Sequence, residues 1–213
     1  MKLYITKTPK SIQRIFSQYL WRFSSDKKEI YLTFDDGPTP EITNFVLEQL
    51  RKFEAKATFF LIGKNAKKYP ELYQQILNEN HAIGNHTHNH FNGFRTKTKE
   101  YLKNVLETEN VICNTNENSR IKLFRPPYGR IKSKQAKEIK KLGYKIIMWS
   151  VLSADFDVTI SKEKCLQNVL KNTQNGSIIV FHDSVKASEK LTYVLPKVLE
   201  FYTEKGFTFK AIS

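Results

Sequence analysis

Cysteine is nearly missing from this chain of 213 residues, with Cys113 and Cys165 the only two. Two cysteines outside any CxxC pair supply neither a disulfide framework nor a zinc ribbon, so they are read as incidental thiols, a single bridge being the most they can form. Glycine and proline number 8 and 7, which excludes collagen-like and low-complexity architectures. Long hydrophobic runs are also lacking. The opening stretch MKLYITKTPKSIQRIFSQYLWRF is interrupted throughout by Lys, Thr, Gln, Arg and Ser, so no signal-peptide core is read there. No run elsewhere reaches the length of a membrane span. The expectation is a cytoplasmic chain without stable membrane insertion, long enough to bury one sizeable core.

Negative charge is in short supply: 21 Asp plus Glu face 35 Lys plus Arg, a formal charge of +14. The excess is partly local, because residues 1–28 hold Lys2, Lys7, Lys10, Arg14, Arg22, Lys27 and Lys28 against the single acid Asp26. Residues 1–28 are therefore expected to be a basic lead-in segment packing on a catalytic domain of residues 29–213. Within it, Ile12, Ile15, Phe16, Tyr19, Leu20 and Phe23 recur at helical spacing, a face to lay on the domain or, as the alternative, on a membrane surface. The charge alone suits anionic partners, but there is no aromatic and basic interleaving and no zinc-finger or helix-turn-helix spacing. Nucleic acid is not expected as a partner.

What the chain does have is alternation. Short β-branched or aromatic runs at 30–34, 57–62, 81–85, 121–124, 144–149, 177–182 and 207–212 are expected strands. Helical spacing predicts helices near 40–53, 66–79, 96–113, 132–142, 161–172 and 188–204, the first capped at Thr39 with Pro40 and Glu41 in its first turn. Gly143 and Gly206 stand where helices should stop. Apolar strands joined by helices imply one α/β domain with a parallel sheet, doubly wound or closed as a barrel; about seven units favour a barrel smaller than the usual eight.

The chemically loaded segments follow the carboxyl ends of these strands, which converge on one face in α/β sheets and barrels. Asp35-Asp36-Gly37-Pro38 follows the first strand, His86-Thr87-His88-Asn89-His90 the third, and Arg125-Pro126-Pro127-Tyr128-Gly129 the fourth. Asp155 comes just after the fifth, and His182-Asp183 ends the sixth. His86 and His90 stand four apart, a spacing that lets both imidazoles reach one ion from a helical turn while His88 points elsewhere. Two histidines and one carboxylate form an open catalytic site for zinc, with cobalt or nickel also suited. Adjacent aspartates diverge at a strand end, so one can ligate while the other faces a water molecule. His182 is suited to protonate a departing amine with Asp155 orienting it, and Arg125 is a candidate partner for Asp35. Each signal also has a bland reading: a turn for Asp-Asp-Gly-Pro, a polar surface turn for the histidine pair, a surface ion pair for Arg125, a cap for Asp155, a core histidine for His182. Their joint placement argues against five coincidences.

These residues resemble the polysaccharide deacetylase family, the NodB-homology domain of carbohydrate esterase family four, over residues 29 to 210. Thr33 to Pro38 matches its TFDDGP motif, His86-Thr87 with His90 its H(S/T)xxH, Arg125 to Tyr128 its RxxY, and Val180-Phe181-His182 its LxH with Val for Leu. The resemblance implies a distorted seven-stranded (β/α) barrel that hydrolyses the acetamide of N-acetylated amino sugars with a divalent metal ion. It implies Asp35 as general base, Asp36, His86 and His90 as metal ligands, and His182 as general acid. By the same resemblance Tyr128 lends its backbone N–H to the oxyanion, Asp155 tunes the acid and Arg125 the base. Pro126, Tyr128, Phe156 and Val180 are expected to line the substrate. The fourth motif departs from the family, with Ser150 where an acid is common and Phe156 in place of Trp. O-acetyl ester or non-sugar amide hydrolysis on the same site, a glycan-binding pseudoenzyme and a basic nucleic-acid binder are the competing readings. The substrate expected as partner is an N-acetylated glycan, and the oligomeric state is not specified by the sequence.

Overall fold

The computed structural model describes residues 4–24, 26–112 and 122–213. After α1 (Lys10–Ile15) come β1 (Glu29–Asp35), α2 (Ile42–Lys52), β2 (Ala57–Leu61), α3 (Gly63–Lys68), α4 (Pro70–Asn78), β3 (Ala82–Asn85) and α5 (Thr98–Ile112). Then follow β4 (Lys122–Phe124), α6 (Ser133–Lys141), β5 (Tyr144–Ile146), β6 (Val151–Leu152), α7 (Lys162–Leu170), β7 (Ile178–His182), α8 (Ser188–Glu204) and β8 (Thr208–Phe209). The strands run in the order β5-β4-β3-β2-β1-β7-β6, with β8 added on β1, and every pairing is parallel. This is a curled seven-strand sheet covered by helices, a distorted and incompletely closed (β/α) barrel.

Period-two alternation gives each face of the sheet its own chemistry. Ile30, Leu32 and Phe34 of β1, Phe59 of β2 and Ile179 and Phe181 of β7 pack outward in the core beneath the helices, with Val46, Leu50, Leu191 and Leu195. On the inner face, Tyr31, Phe60, Leu123, Ile147 and Ile178 plug the barrel. Thr33 and Asp35 share the inner parity of Tyr31, so β1 carries its polarity up the barrel wall and ends in a carboxylate at the mouth.

β5 and β6 are consecutive in sequence yet sit at opposite edges of the sheet. The N-terminal segment straddles that seam. The Leu20 N–H donates to the Ile146 carbonyl at 2.9 Å and the Met148 N–H to the Leu20 carbonyl at 2.7 Å. On the other side the Thr8 N–H donates to the Ser150 carbonyl at 3.0 Å and the Leu152 N–H to the Thr6 carbonyl at 2.9 Å. Trp21 is buried against Tyr144, Ile146 and Met148, its indole N–H held by the Phe16 carbonyl.

Several expected boundaries are corrected. The amphipathic stretch at 11–23 is helical only over Lys10–Ile15, which buries no residue, and Ile15 and Phe16 face outward. The rest of it is extended to serve the seam. The single helix expected at 66–79 is two, split where Tyr69 leaves the helical region ahead of Pro70. α2 begins at Ile42 after Glu41, whose φ of 67° makes it the boundary, so neither Thr39 nor an acidic first turn caps it. The strand expected over 144–149 stops at Ile146, and β6, too short to show in the pattern, follows. The strand expected over 207–212 is ladder-paired only at Thr208–Phe209. Gly143 and Gly206 do follow α6 and α8, at φ of 86° and 74°. Cys113 lies outside the described residues; Cys165 is a buried free thiol. Among the described residues no helix is long and apolar enough to cross a membrane.

Candidate active site

The carboxyl ends of β1, β3, β4, β6 and β7 open on one cleft of about 1000 Å³. Among the described residues eight non-glycine residues have positive φ, and five of them, Asp36, Thr87, His90, Tyr128 and Ala154, sit in the loops around this cleft. Such conformations are costly and persist only where the surroundings over-determine them, so the loops are shaped for the site and not for ease of folding. The two histidines do not share a helical turn as expected. They converge from a loop bent at Thr87 (φ 63°) and His90 (φ 54°), with ring centroids 5.1 Å apart.

Asp36 meets both of them. Its Oδ1 lies 3.2 Å from His90 Nε2 and 3.8 Å from His86 Nε2, and one ligand atom from each of the three residues falls within 4.8 Å of the others. Metal bonds of about 2.0–2.2 Å place tetrahedral ligand atoms roughly 3.4 Å apart, so the cradle matches a zinc-type ion. Two further observations fit a cation. Asp36 Oδ1 is buried without a hydrogen-bond partner. Burial, followed by the neighbouring His90, pushes His86 well below the usual imidazole range, and burial also lowers His90, so both rings offer lone pairs. His86 Nδ1 lies 2.8 Å from the Arg125 carbonyl, which accepts its proton and leaves Nε2 facing Asp36.

Asp35 turns inward beside this cradle. Arg125 is fully buried, its Nη1 donating to Asp35 Oδ1 at 2.7 Å and to Thr33 Oγ1 at 2.6 Å, while Nη2 reaches the Met148 carbonyl at 3.1 Å. The Phe60 ring packs on the guanidinium 4.1 Å away. A buried arginine is tolerated because the carboxylate and carbonyls replace its water shell.

On the next strand His182 is the register partner of Asp35. Its Nδ1 lies 2.8 Å from Asp155 Oδ1, and Asp155 Oδ2 accepts the His182 backbone N–H at 2.7 Å. Burial by itself depresses this imidazole, but the Asp155 carboxylate outweighs it and pushes the pKa up to about 9. Phe156 packs edge-on against His182 at 5.1 Å, and Tyr128, 60% exposed, lies over His90 at 4.6 Å. Pro126, Tyr128, Phe156 and Val180 all line the cleft, whereas Arg125 and Asp155 sit behind it.

The family model described as polysaccharide deacetylase matches residues 23–147, more than half of the chain. The chain belongs to the polysaccharide deacetylase family. The named relatives of the chain are deacetylases, which are hydrolases. A peptidoglycan-N-acetylglucosamine deacetylase of Bacillus cereus is 39% identical over 78% of the chain, which spans 61% of that relative's length. A chitooligosaccharide deacetylase of Azorhizobium caulinodans is 34% identical, covering 79% of the chain and 80% of the relative. The crystal structure of the Bc1960 peptidoglycan N-acetylglucosamine deacetylase in complex with 4-naphthalen-1-yl-N-oxidanyl-benzamide superposes with a TM-score of 0.86, at 34% identity, over 96% of this chain and 95% of that one.

Two contributors to the site are assigned no role by the sequence motifs. Tyr4 lines the cleft from the N-terminal segment, hydrogen-bonded to Asp157 and edge-on to Phe156 at 5.4 Å. Asp183, fully buried, accepts the Gly37 N–H at 3.1 Å and the Thr43 hydroxyl proton at 2.5 Å, and burial pushes its carboxyl up to about 8. It anchors the turn that presents Asp35 and Asp36. Its place directly after His182 in the sequence is the one hint.

Proposed function

We propose that this protein hydrolyses the acetamide of N-acetylated amino sugars in a glycan, giving the free amine and acetate. The observation that carries the reading is the Asp36, His86 and His90 cradle at the same strand ends as two proton-handling groups, Asp35 and His182, on adjacent strands. A divalent cation held by the cradle, zinc before cobalt or nickel, supplies Lewis-acid polarisation of the acetyl carbonyl and of the attacking water. Asp35, kept in place by Arg125, takes the proton from that water. The Tyr128 backbone N–H, on its left-handed turn, meets the negative charge that develops on the carbonyl oxygen. His182, held in its protonated form by Asp155, gives a proton to the nitrogen as the C–N bond breaks. The acetyl methyl rests against Phe156 and Val180, and Pro126 and Tyr128 bound the sugar. The names of the relatives, deacetylases of peptidoglycan and of chitooligosaccharide, support the substrate class, and the Bc1960 protein's complex with an N-hydroxybenzamide, a bidentate oxygen donor, supports a cation in the site.

The test is acetate release from chitooligosaccharides, peptidoglycan fragments and acetylxylan, with metal content read alongside. Chelation should abolish release and zinc restore it. Asp35→Asn should drop turnover by about three orders of magnitude or more while retaining the metal, since it removes the base and leaves the ligands. Release from acetylxylan alone would make the protein an O-acetyl esterase. Loss of metal from Asp35→Asn would overturn the division of roles between the two aspartates.

A further inference from the structure

The deacetylation chemistry leaves the cleft's cations unused. Arg95, Arg130 and Lys186 line it, and among the described residues the only carboxylates that do so are Asp35 and Asp36. Asp35 is paired with Arg125, and Asp36 belongs to the metal cradle. Among the described residues none of the three cations forms an ion pair with a carboxylate. The charged groups that remain free to meet a substrate are therefore these cations.

The backbone segments that carry two of these cations are held together by a buried polar bracket. The turn at Gly93 presses on the following segment so closely that a Cβ there would lie 2.4 Å from the Arg130 carbonyl. Gln135, fully buried, ties the two pieces: its Nε2 donates to the carbonyls of Gly93 at 3.0 Å and Thr96 at 3.2 Å, and its Oε1 accepts the Lys132 N–H at 2.9 Å. Arg95 and Arg130 are thus set on the same side of the cleft, that of His90 and Tyr128, while Lys186 follows β7 on the His182 side. A planar guanidinium offers paired donors that match a carboxylate. Resting on the deacetylase reading, we propose that Arg95 and Arg130 form an anion subsite that binds a carboxylate borne by the glycan, with Lys186 adding attraction from the β7 side. The substrate class is then an acidic N-acetylated glycan, in which the carboxylate is carried by the sugar or by an attached peptide.

The experiment compares strands that differ only in charge: peptidoglycan strands freed of stem peptides, with their lactyl-ether carboxylates intact, and the same strands after amidation of those carboxylates. Strands with stem peptides form a third arm. Wild type should prefer a free-acid substrate, and added salt should shrink that preference. In Arg95→Gln/Arg130→Gln the ratio of kcat/KM for free-acid over amidated strands should fall about tenfold, through KM, and Arg→Lys at both positions should recover part of it. A fall with peptide-free strands assigns the carboxylate to the sugar; a fall confined to stem-bearing strands assigns it to the peptide. An unchanged ratio in the double variant, or no preference in wild type, overturns the subsite while leaving the deacetylase reading standing. No acetate from any arm overturns both.

Discussion

At the scale of single residues, the site depends on what each environment does to a proton. His86 and His90 are kept neutral by burial, which a cation ligand requires. His182, in the same cleft, is driven the other way by Asp155. The alkaline limb of the kcat profile should therefore lie between the ordinary 6.5 and about 9, because the imidazole must carry its proton to give it to the amine. In Asp155→Asn burial still depresses the imidazole while its largest opposing influence is gone, and Asp36 and Asp35 offset burial only in part, so the limb should move to lower pH; an unmoved limb would take His182 out of the proton-donating role. The same pair has a stability signature. A folded-state pKa raised above 6.5 stabilises the fold fully below that pH, and the contribution is lost as pH rises through about 9. Chemical denaturation of wild type and Asp155→Asn across that window should show the two curves converging at the alkaline end.

At the scale of elements, the β1 terminus shows how a turn is built around a close approach. Gly37 admits the Asp183 carboxylate where a Cβ would lie 2.0 Å from Oδ2. Gly37→Ala should cost about 1–3 kcal/mol by overpacking and displace Asp35 and Asp36 together. Calorimetry checks the stability, and the double variant Gly37→Ala/Asp183→Ala should recover part of the loss, because the clash and the anchor are one interaction. The strand ends were legible in the sequence: TFDDGP, the histidine cluster and the arginine segment lie at the mouth, because apolar runs mark strands and strand ends collect in one place. The joint of α3 and α4 is hidden in the sequence despite Pro70, since the apolar spacing continues across it. β6 was not legible at all. Two residues carry no period, and they pair only because β7 and the N-terminal segment lie on either side.

For the whole molecule, residues 4–24 are a structural member of the barrel. They hydrogen-bond across the seam between β5 and β6, bury Trp21 to 9% exposure and bring Tyr4 to the cleft wall. Trp21→Ala should cost about 3 kcal/mol, the usual range for a buried large aromatic, and lower Tm by several degrees. Because Tyr4 packs on Phe156, KM should rise in the same variant; a Tm fall with unchanged KM would show that seam and cleft wall are independent.

Local pattern in the chain specifies the alternation of strands and helices, the parallel sheet, and which residue types gather at its mouth, because periodicity and strand ends are local properties. It could not decide how residues 4–24 are used, since their apolar spacing fits a surface helix as well as a seam filler and only the gap between β5 and β6 selects the second. Nor could it place the turn that carries Arg95 against the segment of Arg130, or Asp183 beneath Gly37. Those contacts join loops far apart in the chain, and no pattern within a loop encodes its neighbour.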